Sequence, residues 1–396
     1  MSKLKEFLGL NASMYAMIVL VVFLGLGEKM AERFLPLYLL AVGGTPFLAG
    51  LLNSLNNLLN ALYSLPGGYA AERFGYKKTL IFFTLLAMAG YGVVIIIPSW
   101  PAVFIGAVLF ISWTAVSLPA VMSLVSKTVK SDKRTMGVSI HSFVRKIPMA
   151  LGPIIGGALI ARYGTIAGMR LAFLAAFILG GAALWFVQTH MQDETPEKKN
   201  ESVFAMFKGI NGPLKSLLVS DILIRFAEQI PYAYVVLWVV NVCGFSAVQF
   251  GFLSALEMAV SMLIYIPVAY LADKSEKKPF VVATFAIFTA FPLALYYSRG
   301  MTAMVLVFIL RGLKEFGEPT RKALIMDLAP ADKKAGTFGA YYLLRDVVVS
   351  LGAAAGAYLW TISPATNLMT AFVCGVIGTL AFAIWGKEVK RNTQAA

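Results

Sequence analysis

The sequence predicts an all-α membrane protein whose twelve transmembrane helices form two six-helix bundles related by a pseudo-twofold axis. Three observations carry this expectation. Only 14% of the 396 residues are charged and 59% are hydrophobic, against roughly a quarter charged in soluble proteins; mean hydropathy is +0.76. Apolar runs lie at about 14–40, 48–67, 79–98, 101–125, 137–161 and 168–189, then 215–242, 248–271, 279–298, 302–326, 336–361 and 367–386. Each is close to the ~20 residues that cross a hydrocarbon core about 30 Å thick. The second set of six also repeats the first in sequence.

The first run follows Met1-Ser2-Lys3-Leu4-Lys5 and soon meets Glu28, Lys29, Glu32 and Arg33, with no small-residue cleavage site. It reads as a retained first helix and not as a signal peptide. The runs divide the chain into a bundle over 1–190, a polar linker over 191–214 and a bundle over 215–396 that ends in a short tail. A short amphipathic helix is expected within the linker at Val203 to Phe207.

Basic residues mark alternate connections: Arg73, Lys77 and Lys78; Lys127, Lys130, Lys133 and Arg134; Lys274, Lys277 and Lys278; Lys333 and Lys334; Lys387, Lys390 and Arg391. The opposite connections are nearly uncharged, apart from Arg162, Arg170 and Arg299. By the positive-inside rule both termini and the linker are cytoplasmic, in the cytoplasmic (inner) membrane. The net charge of +14 is thereby explained without a nucleic-acid partner. Cys243 and Cys374 sit in apolar runs without close Cys or His neighbours and read as small hydrophobes. His141 and His190 carry little chemistry in this pattern.

The duplication is plainest at an offset of two hundred residues. Ser131-Asp132-Lys133-Arg134 matches Ala331-Asp332-Lys333-Lys334, Val144-Arg145-Lys146 matches Leu344-Arg345-Asp346, and Leu151-Gly152 with Gly156 matches Leu351-Gly352 with Gly356. Ala31-Glu32 is echoed by Ala227-Glu228. This is a parallel repeat of one six-helix unit.

Between the second and third runs stands Gly68-Tyr69-Ala70-Ala71-Glu72-Arg73-Phe74-Gly75-Tyr76-Lys77-Lys78. One glycine permits close helix approach, a second turns a tight loop, and an acid among bases clusters charge at adjoining helix ends. The stretch resembles the cytoplasmic signature of the major facilitator superfamily, Gly-x-Leu-Ala-Asp-Arg-x-Gly-Arg-Arg, with Glu72 in place of Asp and Tyr76 in place of a base. A weaker copy runs from Ala269 to Lys278 and contains Asp273. The resemblance covers the whole chain and implies two bundles rocking about a central solute cavity, with Gly68, Glu72, Arg73, Gly75 and Asp273 latching the cytoplasmic face. Topogenic loop charge is the competing reading of the charged members.

In the fifth run, Gly152-Pro153-Ile154-Ile155-Gly156-Gly157 resembles the Gly-Pro-x-x-Gly-Gly motif of the antiporter branches. Gly152, Pro153 and Gly156 then belong to the gate, although tight helix packing alone also accounts for them. The fourth run departs from the family: the intramembrane Arg of many proton-driven members is missing, and Trp113, Ser117 and Pro119 occupy that region.

Charges inside the runs carry most of the functional content, because each costs several kcal/mol if it faces lipid unpaired. Glu28 and Glu32 lie one turn apart with Lys29 and Arg33 beside them; Asp221, Arg225 and Glu228 form one stripe; Arg311, Lys314, Glu315, Glu318 and Arg321 form two adjoining stripes of alternating sign. Static ion pairing is one reading. The other is a solvated cavity in which Glu32, Glu228 and Glu257 exchange protons, while Arg145, Arg345, Arg225, Arg311, Glu315, Asn57, Tyr232 and Tyr342 contact the solute. Arg145 and Arg345 suit a carboxylate or phosphate group, unless Asp346 already neutralises Arg345. Asn57 shares a polar face with Asn53, Asn56 and Asn60, which serves either a lining or a helix contact.

No P-loop, Rossmann glycine pattern, zinc spacing or nucleophile elbow is present in the sequence. The expectation is therefore a secondary transporter and not an enzyme, without metal or cofactor. It works as a monomer in the lipid bilayer, moves a small charged organic solute (anionic or zwitterionic) by alternating access, and is coupled to protons, with export by antiport. The rivals are a proton-coupled importer (symporter), a transport-dead sensor on the same fold, and an intramembrane hydrolase, for which no nucleophile with a base is found.

Overall fold

A computed structural model describes residues 12–111, 113, 134–191, 210–274, 276–330 and 334–387. Among the described residues there are helices and no strands. In the first half these are α1 (Ala12–Glu32), α2 (Leu35–Ala41), α3 (Pro46–Phe74), α4 (Tyr76–Ile96), α5 (Trp100–Ile111), α6 (Arg134–Tyr163) and α7 (Thr165–His190). In the second half they are α8 (Gly212–Tyr232), α9 (Tyr234–Leu237), α10 (Ala247–Lys274), α11 (Lys277–Tyr297), α12 (Met301–Leu313), α13 (Glu318–Leu328), α14 (Lys334–Ile362) and α15 (Pro364–Trp385). The expected linker helix at 203–207 lies outside the described residues.

Six of these helices are long and apolar enough among the described residues to cross a membrane, and the pair α8 with Tyr234–Val242 makes a seventh, bent by 42°. Their outer faces carry Leu263, Ile96, Trp185 and Ile384 at 66–76% exposure, a pattern that only a hydrocarbon solvent tolerates.

Three runs expected as single helices are interrupted. The first breaks at Arg33–Phe34, just before Pro36; the seventh breaks at Ala233, after Pro231, and closes with a π-helical turn over Trp238–Val242; the tenth breaks between Leu313 and Glu318. Proline supplies no N–H and clashes with the preceding turn. In the tenth run the carbonyls of Arg311, Gly312 and Leu313 are instead taken by amides three residues on, the tighter 3₁₀ pattern. Pro148 and Pro153, by contrast, sit inside the continuous α6.

The described residues fall into two compact units. One comprises the first half of the chain with Ala233–Met258; the other comprises Asn200–Tyr232 with Ala259–Ala396. Each is built on the same scheme. In the first unit α1 lies against α7, where Gly27 meets Ala176, and against α6, where Gly152 and Gly156 meet the Lys29–Met30 backbone with no room for a Cβ. In the second, α8 lies against α15, where Gly378 meets Leu223 and Ser220, and against α14, where Gly352 and Gly356 meet Phe226 and Ile230. Asn367, fully buried, donates to the carbonyls of Ile230 at 3.2 Å and Gly356 at 2.9 Å, which pins that crossing. The duplication seen in sequence is thus a duplication of helix contacts.

Candidate functional site

The second unit contains a ladder of alternating charge. Asp346 accepts from Arg345 at 2.7 Å, and Arg345 reaches Asp221 at 3.4 Å. Asp221 is chelated through both oxygens by Arg321, whose other nitrogen holds Glu318 at 2.6 and 2.8 Å. Glu318 meets Arg225 at 3.4 Å, Arg225 donates to Glu228 at 2.6 Å, and Lys314 donates to the other oxygen of Glu228 at 2.8 Å. Tyr341 adds a hydrogen bond to Asp221 at 3.1 Å.

The backbone explains why these groups meet. α8 presents Asp221, Arg225 and Glu228 on one stripe, and the interruption at 314–317 lets Lys314 reach Glu228 while Glu318 and Arg321, one turn into α13, reach Asp221 and Arg225. Gly317 makes the kink possible, since a Cβ there would strike the Phe280 carbonyl and Thr284. Arg321, Asp221, Arg345 and Lys314 are all buried. Burying so many charges is tolerable only because each has an opposite neighbour. Arg311 sits at the edge of the ladder with its guanidinium 5.0, 5.7 and 5.9 Å from the rings of Phe291, Phe308 and Tyr232. The Arg345 guanidinium stacks over Tyr342 at 4.2 Å. Glu315 is half-buried, and among the described residues its carboxylate makes no ion pair or hydrogen bond.

The first unit has a smaller cluster at the matching point of its repeat. Lys29 donates to Glu28 at 2.9 Å and also to Glu32. Lys29-x-x-Glu32 and Arg225-x-x-Glu228 are equivalent pairs of base and acid three apart on the first and seventh runs. Arg33 lies 3.6 Å from Glu257, which is 0% exposed. The sequence offered no partner for Glu257 within its own run; the partner comes from the first run.

The remaining expected residues are placed as follows. Asn57 bonds back to the Asn53 carbonyl at 3.0 Å. Arg145 is half-buried and has no ion pair among the described residues. Gly152, Pro153 and Gly156 line close helix contacts, Gly251 packing on the Pro153 carbonyl. Gly75 turns the α3–α4 connection with φ of 89°, a conformation glycine alone adopts without strain. Arg73 is exposed. Gly68 lies in α3 and Asp273 in α10; the side chains of Glu72 and Asp273 lie outside the described residues, as do Ser117 and Pro119. Lys314, Glu318, Arg321 and Asp221 were visible in sequence only as stripes of alternating sign. Tyr341 carried no such signal, because a buried tyrosine in a membrane helix looks like any other aromatic.

Described residues that form helices and no strands, in two similar units with lipid-type outer faces and charged groups held inside, are the build of an integral membrane transporter. The sequence profile of the Major Facilitator Superfamily matches residues 17–353 and 217–395, and the chain belongs to that family. It is 19% identical over 368 residues, 90% of each chain, to an uncharacterized MFS-type transporter of Methanocaldococcus jannaschii. Among solved structures it resembles a peptide transporter, POT, in complex with sulfate, with TM-score 0.77 and 16% identity over 95% of this chain and 94% of that one. It also resembles the human organic anion transporter MFSD10 (TETRAN), with TM-score 0.67 and 14% identity over 95% and 98%. A bacterial homologue of the human lysosomal transporter Spinster gives TM-score 0.73 and 11% identity over 94% and 95%. At these identities the likeness is one of fold. The fold is that of a secondary transporter of the MFS type.

Proposed function

We propose that the protein is a proton-coupled secondary transporter of the cytoplasmic membrane, with both termini inside, for a small organic solute that carries a carboxylate or phosphate group and, as a zwitterion, an amine. The observation that carries this reading is the position of Glu228, held by Lys314 and Arg225 together at the end of the ladder. Protonation of Glu228 loosens its hold on both cations, and a solute anion takes its place on them. Taking that carboxylate from the buried Lys314, with Arg225 left to Glu318, would be costly, so the solute anion enters as Glu228 takes up its proton. Around the ladder six bases (Arg225, Arg311, Lys314, Arg321, Lys322 and Arg345) stand against five acids (Asp221, Glu228, Glu315, Glu318 and Asp346), which favours a solute with an anionic group. Glu315 is available to an ammonium. The peptide and organic anion transporters among the fold neighbours carry solutes of this kind by their names alone.

Glu32 is the counterpart acid in the first unit. It shares Lys29 with Glu28, so that Lys29 keeps one carboxylate when the other loses its charge. The exchange at Glu228 places proton and anion in one occupied state, which is symport. The fifth-run motif points instead to export by antiport, although the glycine contacts there also serve packing.

The test begins with thermal-shift screening of the purified protein against organic anions, zwitterions and cations, because a ligand of the folded state alone must stabilise it. Flux of the strongest stabiliser is then followed in liposomes under inward and outward proton gradients. Uptake with the gradient supports symport and uptake against it supports antiport. Stabilisation by cations alone would overturn the anion site.

A further inference from the structure

Val281, Phe285 and Phe288 recur at helical spacing on one buried face of α11. With residues of α8 and α13 such as Leu217 and Leu324 they form an apolar core. Phe288 is the last of the three, and there the core meets the charged ladder. The Arg225 guanidinium lies over its ring at 5.4 Å from the centroid, and the Lys314 ammonium at 5.9 Å. These are the two cations that hold opposite oxygens of Glu228, with Arg225 also reaching Glu318. One turn on, Phe291 lies 5.0 Å from the Arg311 guanidinium. Phe288 and Phe291 are 6% and 7% exposed, so packing fixes both rings away from bulk water.

The face of an aromatic ring is negative and attracts a cation, the more so where water is excluded. Leucine would fill the same place in the core without such a field. A ring beneath a complete ion pair feels little, because the carboxylate repels the face that the cation attracts. Once the carboxylate is neutral, the same ring faces a net positive charge. We propose that Phe288, with Phe291 beside it, is a positioning residue that acts through Lys314 and Arg225: its ring takes up their charge when Glu228 is protonated and keeps both cations in place for the solute anion. The inference rests on the exchange at Glu228 proposed above. The charges that bear on Glu228 are Arg225 from its own helix, Lys314 from just past the end of α12 and, through Arg225, Glu318 from α13. Glu318 stays with Arg225 throughout, so the ring matters most for Lys314.

The experiment replaces Phe288 in the full-length protein by mono-, di- and trifluorinated phenylalanine, which weaken the negative face step by step at nearly constant shape. Melting temperatures are compared with the natural Glu228 and with Glu228→Gln, in the absence of any solute. With Glu228 in place the series should move melting by less than about 1 °C. In Glu228→Gln melting should fall with every fluorine, by about 3 °C at the last step. Equal series in the two backgrounds would make Phe288 a packing residue and overturn the proposal. The fluorine NMR resonance of the monofluorinated ring gives a second measurement that needs no change at Glu228. It should shift in Lys314→Gln, which removes a charge facing the ring, and an unmoved resonance would overturn the proposal as well. Both measurements are made without solute or proton gradient, so they fail only if the ring does not carry these cations. The coupling reading fails separately, when Glu228→Gln with its natural phenylalanine still drives uphill flux.

Discussion

Arg345 commits its guanidinium to Asp346, to Asp221 and to the face of Tyr342, whereas Arg145, its equivalent in the repeat, is half-buried with no ion pair among the described residues. Arg345→Ala should therefore destabilise the protein by about 3 kcal/mol, since it strips a cation from two acids in a buried setting. Exchanging it with Asp346 should not restore stability, because Asp221 would then face a carboxylate. Arg145→Lys should melt normally. If Arg145 holds a solute anion, loss of the fork lowers affinity by about 1–3 kcal/mol. Melting curves beside ligand titration of both variants check these outcomes. Arg321 is the more demanding case, since it alone chelates Asp221 and also holds Glu318. Arg321→Met should cost about 3–5 kcal/mol, with Asp221→Asn in the same chain recovering part of it. A double-mutant cycle that shows simple additivity would mean the pair is not coupled.

At the scale of helices, the run pattern already held most of the fold. Apolar length, loop charge and the two-hundred-residue offset are periodic signals that survive reading one residue at a time. The interruptions were less legible, because Pro36 and Pro231 precede or follow breaks while Pro148 and Pro153 do not; a proline's effect depends on whether neighbouring helices satisfy the freed carbonyls. The ladder was half legible. Spacing placed Asp221, Arg225 and Glu228 on one stripe, but their partners lie about ninety or more residues away and depend on the break at 314–317. That break gives a prediction of its own. Gly317→Ala would press a methyl group on the Phe280 carbonyl and Thr284, so it should cost about 1–3 kcal/mol and displace Lys314 from Glu228. Gly339→Ala, where a Cβ meets nothing within 4 Å, should be tolerated. Equal melting temperatures for the two variants would show that the kink does not need its glycine.

For the whole molecule, the repeat gives both halves the same scaffold but unequal charge, and this asymmetry separates the two acids that the sequence pairs. Glu32 shares one ammonium with Glu28, whereas Glu228 is held by two cations, Lys314 and an Arg225 that also reaches Glu318. Glu32→Gln removes one of two competing carboxylates, so the fold should be kept while the response to a proton gradient is lost: exchange of solute across liposomes continues and uphill flux stops. Glu228→Gln imitates the protonated acid, takes the Glu228 carboxylate away from Lys314 and leaves Arg225 with Glu318. It should bind a solute anion more tightly, by about 1–2 kcal/mol for a charge-assisted contact, and release it slowly, so net flux falls while binding rises. Its melting temperature should drop without ligand and recover when the anion is added, because the solute then replaces the missing counter-ion. If Glu228→Gln weakens anion binding, the carboxylate does not compete with the solute for these cations, and Glu228 is a structural member of the ladder. If both variants transport uphill with unchanged pH dependence, the coupling proton resides on another group, and Glu257, buried beside Arg33, becomes the acid to replace next.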